Sequence, residues 1–197
     1  MSEQQVTEEK DLAGTFPQSI PSRIARKISR IWWRSWLRIT KPGLRCGKRC
    51  WIFYSKVRFD TWPGPIEMGD QCTITGGHLM GRVHLGDRVN LVDPYRVGGS
   101  SKYVVTIGSD TWVAPNAYLV PVTHNHKRRD LTISRQGSRG GDITIGKDCW
   151  IGINVVVAPG VTVGDGAVIG ANSVVTKDIP EYAIAAGAPA EVIAWRQ

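Results

Sequence analysis

No acidic residue occurs between Asp11 and Asp60, and no apolar run approaches the ~20 residues that a membrane-spanning helix needs. The second absence excludes a spanning segment. The first isolates a basic stretch, because residues 23–58 hold twelve of the 25 lysines and arginines. The net charge of +8 therefore belongs to one segment, and the remainder, with 13 basic against 17 acidic residues, is mildly acidic. That distribution argues against a nucleic-acid binder. Four cysteines in 197 residues (46, 50, 72 and 149) are too few for a disulfide scaffold. Cys46 and Cys50 are four apart, but no partner ligands stand near them, so packed thiols are expected rather than a metal site. No secretory-leader pattern is present, and the cytoplasm is the expected compartment. No glycine-rich nucleotide-binding fingerprint appears in residues 1–60.

What is present is a period of six. From Ile145 a branched aliphatic residue returns as Ile151, Val157, Val163, Ile169 and Val175. Each is followed by a small or polar residue: Gly146, Gly152, Ala158, Gly164, Gly170, Thr176. Six fits neither the helical period of 3.6 nor the strand period of 2, so the stretch reads as a repeat architecture. Each unit is a short strand plus a bend, and stacked units bury a core that no single unit could. The spacing also holds for Leu85, Leu91 and Val97, and again for Ile107, Val113 and Leu119, with GSSK at 99–102 as an insertion. Earlier repeats are worn: CGKRCW before Ile52, and MGDQCT before Ile74.

These repeats resemble the hexapeptide-repeat acyltransferases, and THNH, RQG at Arg135–Gly137, ITIGKDCWIG and AAGAPAEVI are similar to the sugar O-acetyltransferases. Within them the likeness is to the polysaccharide-modifying branch, with maltose, galactoside, nodulation and colanic-acid-type enzymes. The resemblance implies an all-β solenoid: a left-handed parallel β-helix with three hexapeptides per triangular coil. It further implies acetyl-CoA as co-substrate, no metal, a homotrimer with the site between subunits, and a sugar or glycan acceptor.

The expected organisation is a flexible tail over 1–21, a basic amphipathic helix over 22–43, the β-helix over 44–180, and a C-terminal tail over 181–197. In the helix, Ile24, Ile28, Ile31, Trp32, Trp36 and Ile39 oppose six basic residues, and Pro42-Gly43 ends it. Two readings of this helix stand side by side: a peripheral contact with anionic lipid through 22–39 at the inner face of the cell membrane, or a cap on the open end of the solenoid. Between His124 and Ile143 the period fails, so residues 125–142 leave the solenoid as a loop, and long loops on rigid scaffolds are usually functional.

The site residues follow from position and resemblance. His124, just before the loop, matches the family's catalytic base; acyl transfer from a thioester needs such a base to take the acceptor's hydroxyl proton. The resemblance implies cofactor contacts at Trp150, Ala171, Thr176 and Lys177. It implies a polar acceptor contact one coil before the histidine, where Asn90 and Asp93 are the candidates, with His126 and Arg135 beside it in the loop. Lys127, Arg128, Arg129 and Arg139 add charge for an acidic glycan or the cofactor phosphates. One departure stands out: relatives carry basic residues in the segment matching Glu191 and Ala194, and here only Arg196 is near. The competing readings are N-acetylation of an amino sugar, a silent scaffold, and carbonic-anhydrase-like hydration on three zinc-bound histidines. His78 and His84, six apart, do not stack at an eighteen-residue coil interval, which disfavours the last.

Overall fold

The computed structural model describes residues 43–53 and 56–197. The tail and the basic helix expected over 22–43 lie outside these residues apart from Gly43. Within them the chain winds through six full turns of short strands. Each turn crosses three faces in order. The first face stacks Leu44–Cys46, Ile66–Met68, Val83–Leu85, Val105–Ile107, Ile143–Ile145 and Thr162–Val163. The second runs from Trp51–Ile52 through Thr73–Ile74, Asn90–Leu91, Trp112–Val113 and Trp150–Ile151 to Val168–Ile169. The third holds Val57–Asp60, Gly77–Met80, Tyr95–Gly98, Ala117–Leu119, Val156–Val157 and Val174–Val175. Pairing along these ladders is parallel throughout. Ala183–Gly187 extends the second face and pairs antiparallel with Ala190–Trp195, so residues 183–195, expected as a tail, are a paired hairpin.

The period of six is the period of the core. Ile145, Ile151, Val157, Val163, Ile169 and Val175 are all at most 1% exposed. Branched side chains suit this role because each stacks on its counterpart one turn away. Shortening one should loosen that stack. Ile151→Val is expected to cost about 0.5–1.5 kcal/mol, read as a lower denaturation midpoint at an unchanged slope.

The small residue after each aliphatic one serves coil-to-coil approach. A Cβ on Gly146 would meet the Asp165 nitrogen at 2.6 Å. Its own φ is ordinary; the left-handed bend of the corner falls two residues later, at Asp110 (φ 63°) and Asp148 (φ 52°), residue types that tolerate that region. In this same corner the column Cys50, Cys72, Val89, Thr111, Cys149, Ala167 carries three thiols. Cys50, Cys72 and Cys149 place their sulfurs 3.2, 3.1 and 3.2 Å from the carbonyls of Gly69, Gly86 and Gly164. A bond with the Cys50 thiol, together with burial, pushes the Cys72 thiol up, and burial does the same at Cys149. Both are therefore packing groups and poor nucleophiles.

Candidate active site

The repeat is interrupted at the corner between the third and first faces. After Leu119 the chain turns outward, and Val122–His124 pairs antiparallel with Ser138–Gly140, setting His124 opposite Ser138. His124 thus ends the outgoing strand of a two-stranded arm rather than closing a hexapeptide, because the chain has left the coil by Val122 and not at residue 125. The arm is stapled shut. Asn125 donates from its backbone to the Gly137 carbonyl (3.0 Å) and from Nδ2 to the Gln136 carbonyl (3.0 Å). Gln136 accepts from the Arg128 nitrogen (3.0 Å) and donates to the carbonyls of Arg128 (2.8 Å) and Leu131 (3.0 Å). These amides, which sequence reading did not single out, hold the arm's backbone just beyond His124. The His124 ring is exposed and has no side-chain partner among the described residues. His126 lies on the same arm with Nδ1 3.4 Å from the His124 carbonyl oxygen. Arg135 is exposed in a single 3₁₀ turn, Ile133–Arg135, and Arg128 pairs with Asp130.

Thr176 and Lys177 occupy the same edge as His124, two turns further on. At the usual strand spacing of about 4.8 Å, that is about 10 Å along the axis. Between them the edge carries only Ala158, Pro159 and Gly160, with Gly141 packed against Gly160. A Cβ on Gly141 would come within 2.7 Å of the Gly160 Cα, so the strip must stay bare. Lys177 is exposed and paired loosely, Nζ 3.7 Å from Glu191 Oε1. Arg196 does not join it. That guanidinium is held at the first–second corner by the Asp148 carboxylate (3.0 Å) and the Gly166 carbonyl (2.8 Å).

The remaining candidates lie elsewhere. Asn90 and Trp150 stand on the second face in one outward column, Thr73–Asn90–Trp112–Trp150–Val168. Asn90 Oδ1 is sealed from solvent with no partner among the described residues. Asp93 and Ala171 mark the second–third corner; the Asp93 nitrogen donates to Thr75 Oγ1 at 2.9 Å. In a three-faced coil the second face lies across from the edge between third and first. One chain therefore gathers His124, His126, Arg135, Thr176 and Lys177 on one side, with Asn90 and Trp150 on the other. His78 and His84 are on different faces and pair with Asp60 (2.7 Å) and Glu67 (3.0 Å). The His78 contact is the main cause holding the Asp60 carboxyl below its ordinary range. No three potential metal ligands converge among the described residues.

Against known proteins, residues 142–177 match the family model described as bacterial transferase hexapeptide (six repeats). An Escherichia coli protein named as a colanic acid biosynthesis acetyltransferase, WcaF, is 34% identical over 164 residues, covering 83% of this chain and 75% of its own. Galactoside O-acetyltransferase of E. coli is 47% identical over 95 residues, 46% of this chain and 44% of that protein. Among solved structures, a galactoside acetyltransferase in complex with coenzyme A superposes with a TM-score of 0.54 at 29% identity, over 90% of this chain and 74% of that one. A variant of AntD, an N-acyltransferase from Bacillus cereus, gives 0.67 at 19% identity over 81% and 88%, which bears on the fold alone. The chain belongs to the hexapeptide-repeat acetyltransferase family. It is an acyltransferase.

Proposed function

We propose that the protein transfers the acetyl group of acetyl-CoA to a sugar hydroxyl of a polysaccharide or lipid-linked glycan precursor. The observation that carries this is one edge bearing His124 on a stapled arm, a bare strip of small residues, and then Thr176 and Lys177. An extended pantetheine chain fits such a strip, with its phosphates toward Lys177 and its thioester toward His124. His124 takes the hydroxyl proton as the acceptor oxygen attacks the thioester carbonyl. The tetrahedral adduct collapses with cleavage of the carbon–sulfur bond, and the imidazolium returns the proton to the departing thiolate. No covalent acyl-enzyme is needed, because the thioester is already activated. His126 and Arg135 flank the acceptor, while Trp150 and Ala171 border the cofactor.

Since Trp150 and Asn90 stand across the coil from His124, the complete site is read as intersubunit in a homotrimer, with the left-handed winding that the family resemblance implies. The basic segment 22–39 would keep a cytoplasmic enzyme at the inner membrane face, near a lipid-carried acceptor. Incubation with acetyl-CoA and candidate oligosaccharides, read by free thiol release and by acetyl-ester mass, tests the reading. Exclusive transfer to amines would overturn the choice of hydroxyl.

Glu191 gives a further check. It stands 3.7 Å from Lys177 and competes with a phosphate for that ammonium. Both groups are exposed, so the pair is weak and screened. Glu191→Gln is expected to tighten coenzyme A binding about twofold at low salt, fading at high salt; calorimetry at two ionic strengths measures it.

A further inference from the structure

The strongest feature outside the His124 edge is a pair of exposed indoles. Trp112 and Trp150 are direct partners on adjacent parallel strands, 60% and 58% exposed. They end matching hexapeptides, IGSDTW and IGKDCW, so the repeat itself sets them one above the other. With Asp110, Asp148, Val168 and Arg196 they line a groove of about 390 Å³, within the range of small-ligand sites. Core demands do not explain two large apolar groups held in water, since Val113 and Ile151 beside them already fill the interior.

We infer that Trp112, side by side with Trp150, is a stacking platform for the pyranose ring of the acceptor. This inference rests on the acetyl-transfer reading and adds to it a specificity-determining residue. A pyranose has an apolar face of C–H groups and a rim of hydroxyls. Indole faces carry the negative side of their quadrupole and attract such C–H groups. The Trp112 indole takes that ring, and Trp150, one strand on at about 4.8 Å, keeps the cofactor's reactive end beside it. Asp110 and Asp148 supply carboxylate oxygens at the rim with acceptor capacity beyond their present bonds. The same rim speaks against the cofactor's phosphates as occupant. Arg196, the one guanidinium lining it among the described residues, is already engaged by Asp148, and Asp110 is paired with Arg88 outside the groove. Asn90 continues the column beyond Trp112, so a polar contact and the platform share one face. In the homotrimer proposed above, this is the face left for the neighbouring subunit's arm, which would bring the base to the stacked sugar.

Trp112→Ala, Trp112→Leu and Trp112→Phe test the platform, with methyl β-galactopyranoside and maltose as acceptor probes. Alanine and leucine should raise the acceptor KM about tenfold (about 1.4 kcal/mol of binding) while the KM for acetyl-CoA stays within twofold; phenylalanine should recover most of the loss. Acceptor titration without donor should quench wild-type tryptophan fluorescence and lose that signal in Trp112→Ala. An unchanged acceptor KM in the alanine and leucine variants overturns the platform. So does a fall in assembly mass on sedimentation, which would make the indoles a subunit contact. A wild-type protein that transfers to no sugar fails the acetyl-transfer reading instead, so the two failures are distinct.

Discussion

His124→Ala is expected to lower acetyl transfer by about 10²–10⁴-fold, the usual worth of a positioned general base. Affinity for acetyl-CoA should be nearly unchanged, because the strip from Ala158 to Lys177 is untouched. Stability should hold as well. The His124 ring is exposed, and its pairing with Ser138 is made by main-chain groups that alanine retains. A loss in kcat with constant donor binding separates a catalytic role from a merely structural one. His126→Ala serves as the internal control, since its ring meets only a carbonyl oxygen at 3.4 Å. It should act on acceptor KM and leave most of kcat. A fully active His124→Ala protein would sink the assignment.

The second large effect is complementation between two crippled chains. Alone, His124→Ala lacks the base and Trp150→Ala lacks the indole on the opposite face. If each site pairs the arm of one subunit with the second face of the next, a mixed assembly contains some sites with both groups intact. In a cyclic trimer refolded from equal parts, about a quarter of the interfaces should be wild type. Activity should then rise from near background to a similar fraction of the normal rate. A site completed within one chain predicts no recovery, because every chain then carries a defect. Co-refolding followed by a thiol-release assay decides between them, with sedimentation confirming that mixed assemblies form.

Much of this molecule could be read along the chain. Six aliphatic positions from Ile145 to Val175 all became core, and GSSK became the turn in which Ser100 Oγ accepts from the nitrogens of Lys102 and Tyr103. His124 was singled out because it stands where the period fails and matches the family's base, and its role is the one proposed above. Other parts were not legible, for identifiable reasons. The separation of 38 positions from Trp112 to Trp150 conceals that they are neighbours, since the arm inserts its length between adjacent turns. Only after subtracting the arm do IGSDTW and IGKDCW fall into register. Arg196 looked available to the cofactor from its place in the tail, but the hairpin over 183–195 carries it to the Asp148 corner.

The sequence by itself determined the period, and with it the inward positions and the existence of the arm. Side-chain alternation in a repeat is local: whether a residue faces in or out depends on its place within six neighbours, and that is written in the chain. Only the tertiary structure decided which edge or face each functional group would occupy. That depends on the length of each turn summed over every coil, and a few inserted residues redirect it. The separation of His124 from Trp112 and Trp150 across the coil is therefore a property of three dimensions. So is the Gln136 staple that holds the arm in place.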